Sequence, residues 1–265
     1  MRKQSSMLIV LIAGCVALFV ACTPAPATPT STTPTTTSTT VAAVDCTARG
    51  PGVDLHGCDL RLTNLTSADL TGANLTGANL GGAGLSQANL TEANLDGASL
   101  FAADLTGANL LRTDLSGADL FGADLTSVRS GQIIGIPAGL PAKWSLISGY
   151  LFGDYTNLAG ADLSGIDLSG GKLNGSILFA ADLSGVNLTG ANLNGVSLFG
   201  TNLPGANLTG AKLEGAGLSG INLRGVNLTN ANLTNANLTI ATLTGVIWDN
   251  TTCPNGVVQS TECVV

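Results

Sequence analysis

The chain has 265 residues, a formal charge of −7 and only 10% charged residues, against about 25% in a typical soluble protein. Aromatic residues make up 4% of a chain that is 45% hydrophobic, so any interior is built from Leu and Ala. The acidic balance excludes the basic face that a nucleic-acid partner requires, and the length suits one or two ordinary domains.

Arg2 and Lys3 precede an apolar run over residues 7–21. That run is short for a membrane span, which needs about twenty apolar residues, and it reads as a secretory signal over residues 1–22. Its end, Leu18-Phe19-Val20-Ala21-Cys22, resembles a bacterial lipobox, with Phe19 where leucine is usual. The resemblance implies that Cys22 is lipidated and becomes the mature N-terminus. Ile12-Ala13-Gly14-Cys15 is a better local match, but it would leave residues 16–21 as an apolar stub. Plain secretion with cleavage nearby and an uncleaved anchor are the alternatives. Residues 23–44 are almost all Thr, Pro, Ala and Ser and carry no charge. Such a segment cannot bury a core, and its prolines make it a stiff, extended, disordered tether. Its threonines permit O-glycosylation; a bare spacer is the other possibility.

A five-residue pattern then takes over: Ala68-Asp69-Leu70-Thr71-Gly72, followed at once by Ala73-Asn74-Leu75-Thr76-Gly77. A repeat this short governs the fold before any local propensity does. A period of five would walk the leucines around a helix. In a flat strand it would send successive leucines to opposite faces. A coil that bends after every unit fits. It points each leucine inward, with the small residue two places earlier, and leaves Asp/Asn, Thr/Ser and Gly outward or at the corner. Gly is the cheapest residue at an unusual backbone conformation.

These units resemble the pentapeptide-repeat family, whose pattern is A-(D/N)-L-x-x. The resemblance covers residues 53–245 apart from one interruption. It implies an all-β fold, a right-handed quadrilateral parallel β-helix with twenty residues per coil. Stacked about 4.8 Å apart, some eight or nine coils make a rod of roughly 40 Å.

Leucines fall every fifth residue from Leu55 to Leu125, and again from Leu158 to Leu243 in a frame displaced by three. Between them residues 126–157 break the pattern and hold Pro137, Pro141, Trp144, Tyr150 and Tyr155. Residues 144–148 and 149–153 resemble degenerate units. The expectation is therefore a loop insertion, extruded near residues 130–143, within one β-helical domain over residues 45–265. This loop either braces one face with its apolar residues or offers a binding platform. Phe101 and Phe121 are twenty residues apart, each directly after a leucine, and Phe179 and Phe199 repeat this. Each pair should stack in neighbouring coils. The four, with Trp144 and Tyr150, form a candidate contact patch, unless the pairs cover themselves or the loop covers them. Asn187-Leu188-Thr189, Asn207-Leu208-Thr209 and Asn227-Leu228-Thr229 make a second, polar ladder. That ladder is either the repeat's solvated face or a surface for carbohydrate or ice.

Cys46 and Cys58 flank the start of the repeats, and Cys253 and Cys263 follow their end. Proximity favours Cys46–Cys58 and Cys253–Cys263 among the three possible pairings, closing caps over about 45–58 and 248–265. Each bridge would contribute about 2–4 kcal/mol in an oxidising compartment. Redox-active thiols are the competing reading. A solenoid needs covered ends, and Trp248, five residues past Leu243, should plug the last coil. With one histidine, His56, no nucleophile has a base, no zinc spacing exists, and no cofactor is expected. The chain is expected to be a non-enzymatic, extracytoplasmic rod. It would meet the membrane through a lipid anchor and present side chains to an unknown protein or wall polymer. The alternative follows from the resemblance, since some members of the family mimic duplex DNA and protect type II topoisomerases. Ten acidic residues between 45 and 124, against Arg49, Arg61 and Arg112, suit it. The signal, tether and paired cysteines do not.

Overall fold

The structure is a computed structural model that describes residues 43–263. The signal, Cys22 and nearly all of the tether lie outside the described residues, as do 264–265.

Each unit forms one bridge and one turn. Its second residue pairs in parallel with the residue twenty positions on: Asp54 with Asn74, Asp59 with Asn79, Asn64 with Gly84, Asp69 with Asn89. Four units therefore complete a coil, and four columns of bridges run along it. The leucine N–H donates to the next coil (Leu55 N to Asn74 O, 2.8 Å), and the next coil donates back (Asn74 N to Val53 O, 2.9 Å). Stacking thus satisfies the backbone groups that a single coil would bury unpaired. Alternate residues of an extended segment share a side, so Leu75 and Ala73 both point inward and both are fully buried. The corner is a turn in which Leu70 O accepts from Ala73 N at 3.0 Å, with Gly72 at φ 64°. A positive φ at the third turn position is what a type II turn requires.

The second and fourth residues of the unit are linked as well. Asp69 Oδ1 accepts from the Thr71 amide at 3.1 Å and from its hydroxyl at 2.6 Å. Asn74 does the same with Thr76. This local bond is why Asp or Asn is followed two places later by Thr or Ser. At several inward small positions a hydroxyl donates to a carbonyl of the previous coil, as Thr113 does to Leu90 O at 2.8 Å and Thr201 to Leu178 O at 2.8 Å.

The interruption differs from the expected loop. Strand β1 (Asn109–Leu111) pairs in parallel with β2 (Arg129–Gly131). Asp114 still bridges Ile134, and Asp119 still bridges Gly139. Residues 129–139 therefore continue the coil, and Ser130, expected at the start of the extruded loop, is buried in a leucine slot. The break comes later. Strand β3 (Ser145–Ile147) and β4 (Tyr150–Phe152) form an antiparallel hairpin in place of two degenerate units. Its two-residue turn has Ser148 at φ 48° and Gly149 at φ 78°, the two positive values that a tight primed turn demands.

The hairpin joins the two halves. Leu151 is buried in the core that runs from Leu55 to Ile133, whereas Phe152 is buried in the core that runs on to Trp248. Leu151 N donates to Ser130 Oγ at 2.9 Å, and Ile133 N donates to Gly149 O at 3.0 Å. Past the hairpin Arg129 bridges Asn157, so this one step is eight residues longer than the usual twenty. The longer step is five units and three residues, which accounts for the frame displaced by three.

Both ends are closed by disulfides. Cys46–Cys58 and Cys253–Cys263 are formed, each with Cα atoms 5.6 Å apart. At the far end Trp248 is buried in the core, and β5 (Thr251–Thr252) pairs with β6 (Val258–Gln259) as a short antiparallel flap.

Candidate interaction surface

The long step from Arg129 to Asn157 decides where the aromatic residues lie. The Asp69 column runs through Asn89, Asn109, Arg129, Asn157, Ile177 and Ser197. Phe179 and Phe199 follow Leu178 and Leu198 in this column. Phe101 and Phe121 follow Leu100 and Leu120 in the Asp59 column, which runs through Asn79, Ser99 and Asp119. The Asp59 and Asp69 columns are two of the four steps apart, so the phenylalanine pairs sit on opposite faces and form two surfaces. Each pair stacks: centroids 6.2 Å apart and planes at 16° for Phe101–Phe121, 5.9 Å and 10° for Phe179–Phe199. All four rings remain about half exposed, at 49–60%.

Trp144 and Tyr150 belong to the hairpin. The Trp144 indole lies directly on Gly153, where any Cβ would collide with it. Tyr150 is only partly exposed and packs beside Phe152, ring centroids 6.5 Å apart. Its hydroxyl accepts from Asp162 N at 3.3 Å, and its ring covers Gly131, where a Cβ would meet Tyr150 Cε1 at 3.1 Å and Leu111 Cδ2 at 3.1 Å. These two aromatics brace the joint.

A groove of about 880 Å³ lies on the Asp59 column. Residues directly after the leucines of this column run Arg61, Gly81, Phe101, Phe121. Gly81 and Gly82 form the floor, Arg61 and Leu62 one wall, and Phe101 and Ala102 the other. The Arg61 guanidinium is held in place by Asp59 through two bonds of 2.8 and 2.7 Å. That side-chain bond lowers the Asp59 carboxyl below its ordinary value and raises the guanidinium. A sequence scan for runs of charge or aromatics misses this groove. The available signal was Gly-Gly where the repeat expects Thr-Gly, twenty residues before Phe101.

The polar ladder is self-paired. Thr189 Oγ1 donates to Asn187 Oδ1 at 2.6 Å and accepts from Asn207 Nδ2 at 3.0 Å. Thr209 Oγ1 donates in turn to Asn207 Oδ1 at 2.6 Å. The same zipper binds Asp69, Thr71, Asn89, Thr91 and Asn109 on the Asp69 column. The Thr189 hydroxyl is thus engaged on both sides, which favours the solvated-face reading for that part of the ladder, while Thr209 Oγ1 only donates.

The sequence matches the family described as Pentapeptide repeats in eight copies, over residues 52–82, 68–107, 98–129, 176–215 and 206–245. The chain belongs to the pentapeptide repeat family. Proteins of this family form right-handed quadrilateral β-helices and are generally non-enzymatic structural or interaction proteins. Among solved structures the chain is similar to HetL, a pentapeptide repeat protein involved in heterocyst differentiation regulation from the cyanobacterium Nostoc sp. strain PCC 7120. The identity is 32% over 79% of this chain and 86% of that one, with a TM-score of 0.36. It is also similar to QnrB1, a plasmid-mediated fluoroquinolone resistance protein, at 19% identity over 77% and 87% of the two chains and a TM-score of 0.28. A pentapeptide repeat protein of the Arabidopsis thaliana thylakoid lumen matches at 27% identity over 58% and 66%, with a TM-score of 0.26. No curated protein matches.

Proposed function

We propose that this chain is a non-enzymatic protein of the cell envelope. It is a right-handed quadrilateral rod, anchored by lipid at Cys22, held off the membrane by residues 23–44, and presenting outward side-chain ladders to a protein or wall polymer. The observation that carries this reading is the pair of disulfides, one at each end of the coil. Such bridges persist in oxidising compartments and are rare where thiols are kept reduced. Membership of a family of interaction proteins supports the absence of catalysis, and the half-exposed phenylalanine ladders supply contact surfaces.

The intact mass and free-thiol count of the protein from its native host test the reading. A lipid-modified chain beginning at Cys22 with no free thiols is the expected result. A full-length chain carrying free cysteines would overturn the envelope reading and leave topoisomerase protection as the alternative to assay.

A further inference from the structure

The Asp59 column carries a stack with one rung missing. Along it stand the Arg61 guanidinium, then Gly81 with no side chain, then the Phe101 ring, then the Phe121 ring stacked on it. Neighbouring coils are about 4.8 Å apart, so Arg61 and Phe101 leave a slot of roughly two coil spacings, deep enough for one planar ring between them. Gly81 has a negative φ, so a side chain is excluded there neither by backbone conformation nor by backbone crowding. A Cβ would meet Asn79 Oδ1 at 3.2 Å and Arg61 Cγ at 3.7 Å.

The same protein shows how such a slot is filled. On the opposite face the equivalent positions run Leu111, Gly131, Ala159, Phe179, Phe199, with Gly131 following Ser130, so two small residues, Gly131 and Ala159, stand ahead of the phenylalanine pair. There the Tyr150 ring, brought in by the hairpin, lies over Gly131 against Leu111. Only a cavity of about 180 Å³ remains. On the Asp59 face Leu62 Cδ2 lies over Gly82, 2.7 Å from where a Cβ would stand, but no ring of the described chain lies over Gly81, and the groove of about 880 Å³ stays open.

We propose that this slot is a binding site for a single aromatic side chain of a partner protein. The ring stacks on the free face of Phe101 and sits under the Arg61 guanidinium. The electron-rich face of an aromatic ring attracts the guanidinium, and offset stacking favours the Phe101 side. Asp59, which pairs Arg61, and Asp119 also line the groove and select against an anionic occupant. Asp59 keeps Arg61 aimed along the wall, so little freedom is lost on binding. The inference rests on the reading of the chain as a rod that presents side-chain ladders, and it names which ladder is read and by what chemistry.

The test uses the disulfide-bonded protein and N-acetyl-tyrosinamide as the probe, titrated into the millimolar range while the Gly81 and Gly82 backbone amides are followed by NMR. Saturable shifts confined to this slot are expected. Gly81→Phe, which supplies the missing ring from the chain itself, should abolish them while leaving the melting temperature equal or higher. Phe101→Leu, which keeps apolar bulk but removes the ring, should weaken binding by about fivefold, and it keeps the test open if Gly81→Phe fails to fold. Shifts of equal size at Phe179 and Phe199, or unchanged binding by either variant, would overturn the proposal. So would shifts from an N-acetylglucosamine trimer with none from the tyrosine amide. A missing slot with Cys22 lipidated would leave the envelope reading standing, and free thiols would remove that reading whatever the slot binds.

Discussion

Phe101–Phe121 and Phe179–Phe199 are built alike, each with two rings twenty residues apart, stacked at nearly the same separation (6.2 and 5.9 Å). They differ in what lies ahead of them. Ahead of Phe179 the chain spends eight additional residues on a hairpin, and Tyr150 from that hairpin covers Gly131. Ahead of Phe101 the coil keeps its step of twenty, and the place over Gly81 is empty. In the Asp59 column a glycine directly precedes the ring of Phe101, whereas in the Asp69 column Ala159 stands between Gly131 and Phe179 and the hairpin covers the glycine. One ladder is completed by the chain itself, and the other is the one proposed to take a partner's ring.

The largest effect should come from the hairpin's deepest residue. Leu151 is fully buried beside Ser130, a small residue in a leucine slot. Leu151→Ala removes the large side chain there and should cost about 2–5 kcal/mol, measured by urea unfolding. A loss below about 1 kcal/mol would mean that the halves hold together without the joint. Next is Tyr150→Ala, which uncovers Gly131 between Leu111 and Ala159. The half-buried ring and its bond from Asp162 N should be worth about 1–3 kcal/mol. The variant should show weaker tyrosine-amide shifts at Gly131 than the parent shows at Gly81, because Leu111 and Ala159 flank that slot in place of Arg61 and Phe101. Binding at Gly131 as strong as at Gly81 would show that Arg61 and Phe101 are not what the ring reads.

Much of this architecture was legible in the sequence. The five-residue leucine period put Leu55 and its successors inside with the alanines two places earlier. The cysteine spacing pointed to both disulfides, and Trp248 stood where the next leucine was due. The face assigned to each phenylalanine pair was not legible, because it depends on a lengthened step that only the pairing of Arg129 with Asn157 reveals. The hairpin left a trace in Ser148-Gly149 between two apolar pairs. A division into five-residue units cuts that trace at the turn and leaves two weak repeats. Tyr150 and Trp144 looked like surface aromatics because a sequence does not show that Gly131 and Gly153 are the surfaces beneath them.

Non-glycine residues take corners in both halves, eight of them from Leu62 to Gln132 before the hairpin. After the hairpin, Asn230, Asn235, Ile240 and Asn250 take the corner at φ 50–58°. Ile240 is the costly member of this run, β-branched, 83% exposed and at φ 55°, where a left-handed conformation costs about 1–2 kcal/mol. Its side chain packs over Gly220, with Cδ1 3.8 Å from where a Cβ there would stand. Ile240→Gly gives up that packing, relieves the strain and should raise stability by about 1 kcal/mol. A lower melting temperature would show that the packing over Gly220 outweighs the strain.

The smallest effect concerns acid, and it should fall unequally on the two halves. Asp45, Asp54, Asp59, Asp69 and Asp124 precede the hairpin, and each is held below its ordinary value, first by a side-chain hydrogen bond from the residue two places on. After the hairpin the same holds for Asp182 through Ser184, and for Asp167 first through the Ser169 backbone amide. A carboxyl with a lowered folded-state pKa adds stability that is present above the unfolded value of about 3.9 and disappears as pH falls through the folded value. The melting temperature should thus stay level from neutral pH to about 5 and decline below about 4. Because these carboxylates are exposed, screening keeps each contribution small, and the distribution is more informative than the total. Five such groups against two means that amide exchange at Leu75 and Leu95 should accelerate at pH 3 before that at Leu188 and Leu208. Equal acceleration would mean that the coil opens as one unit across the hairpin, and faster exchange in the second half would show that local aspartate bonds do not set the acid limit.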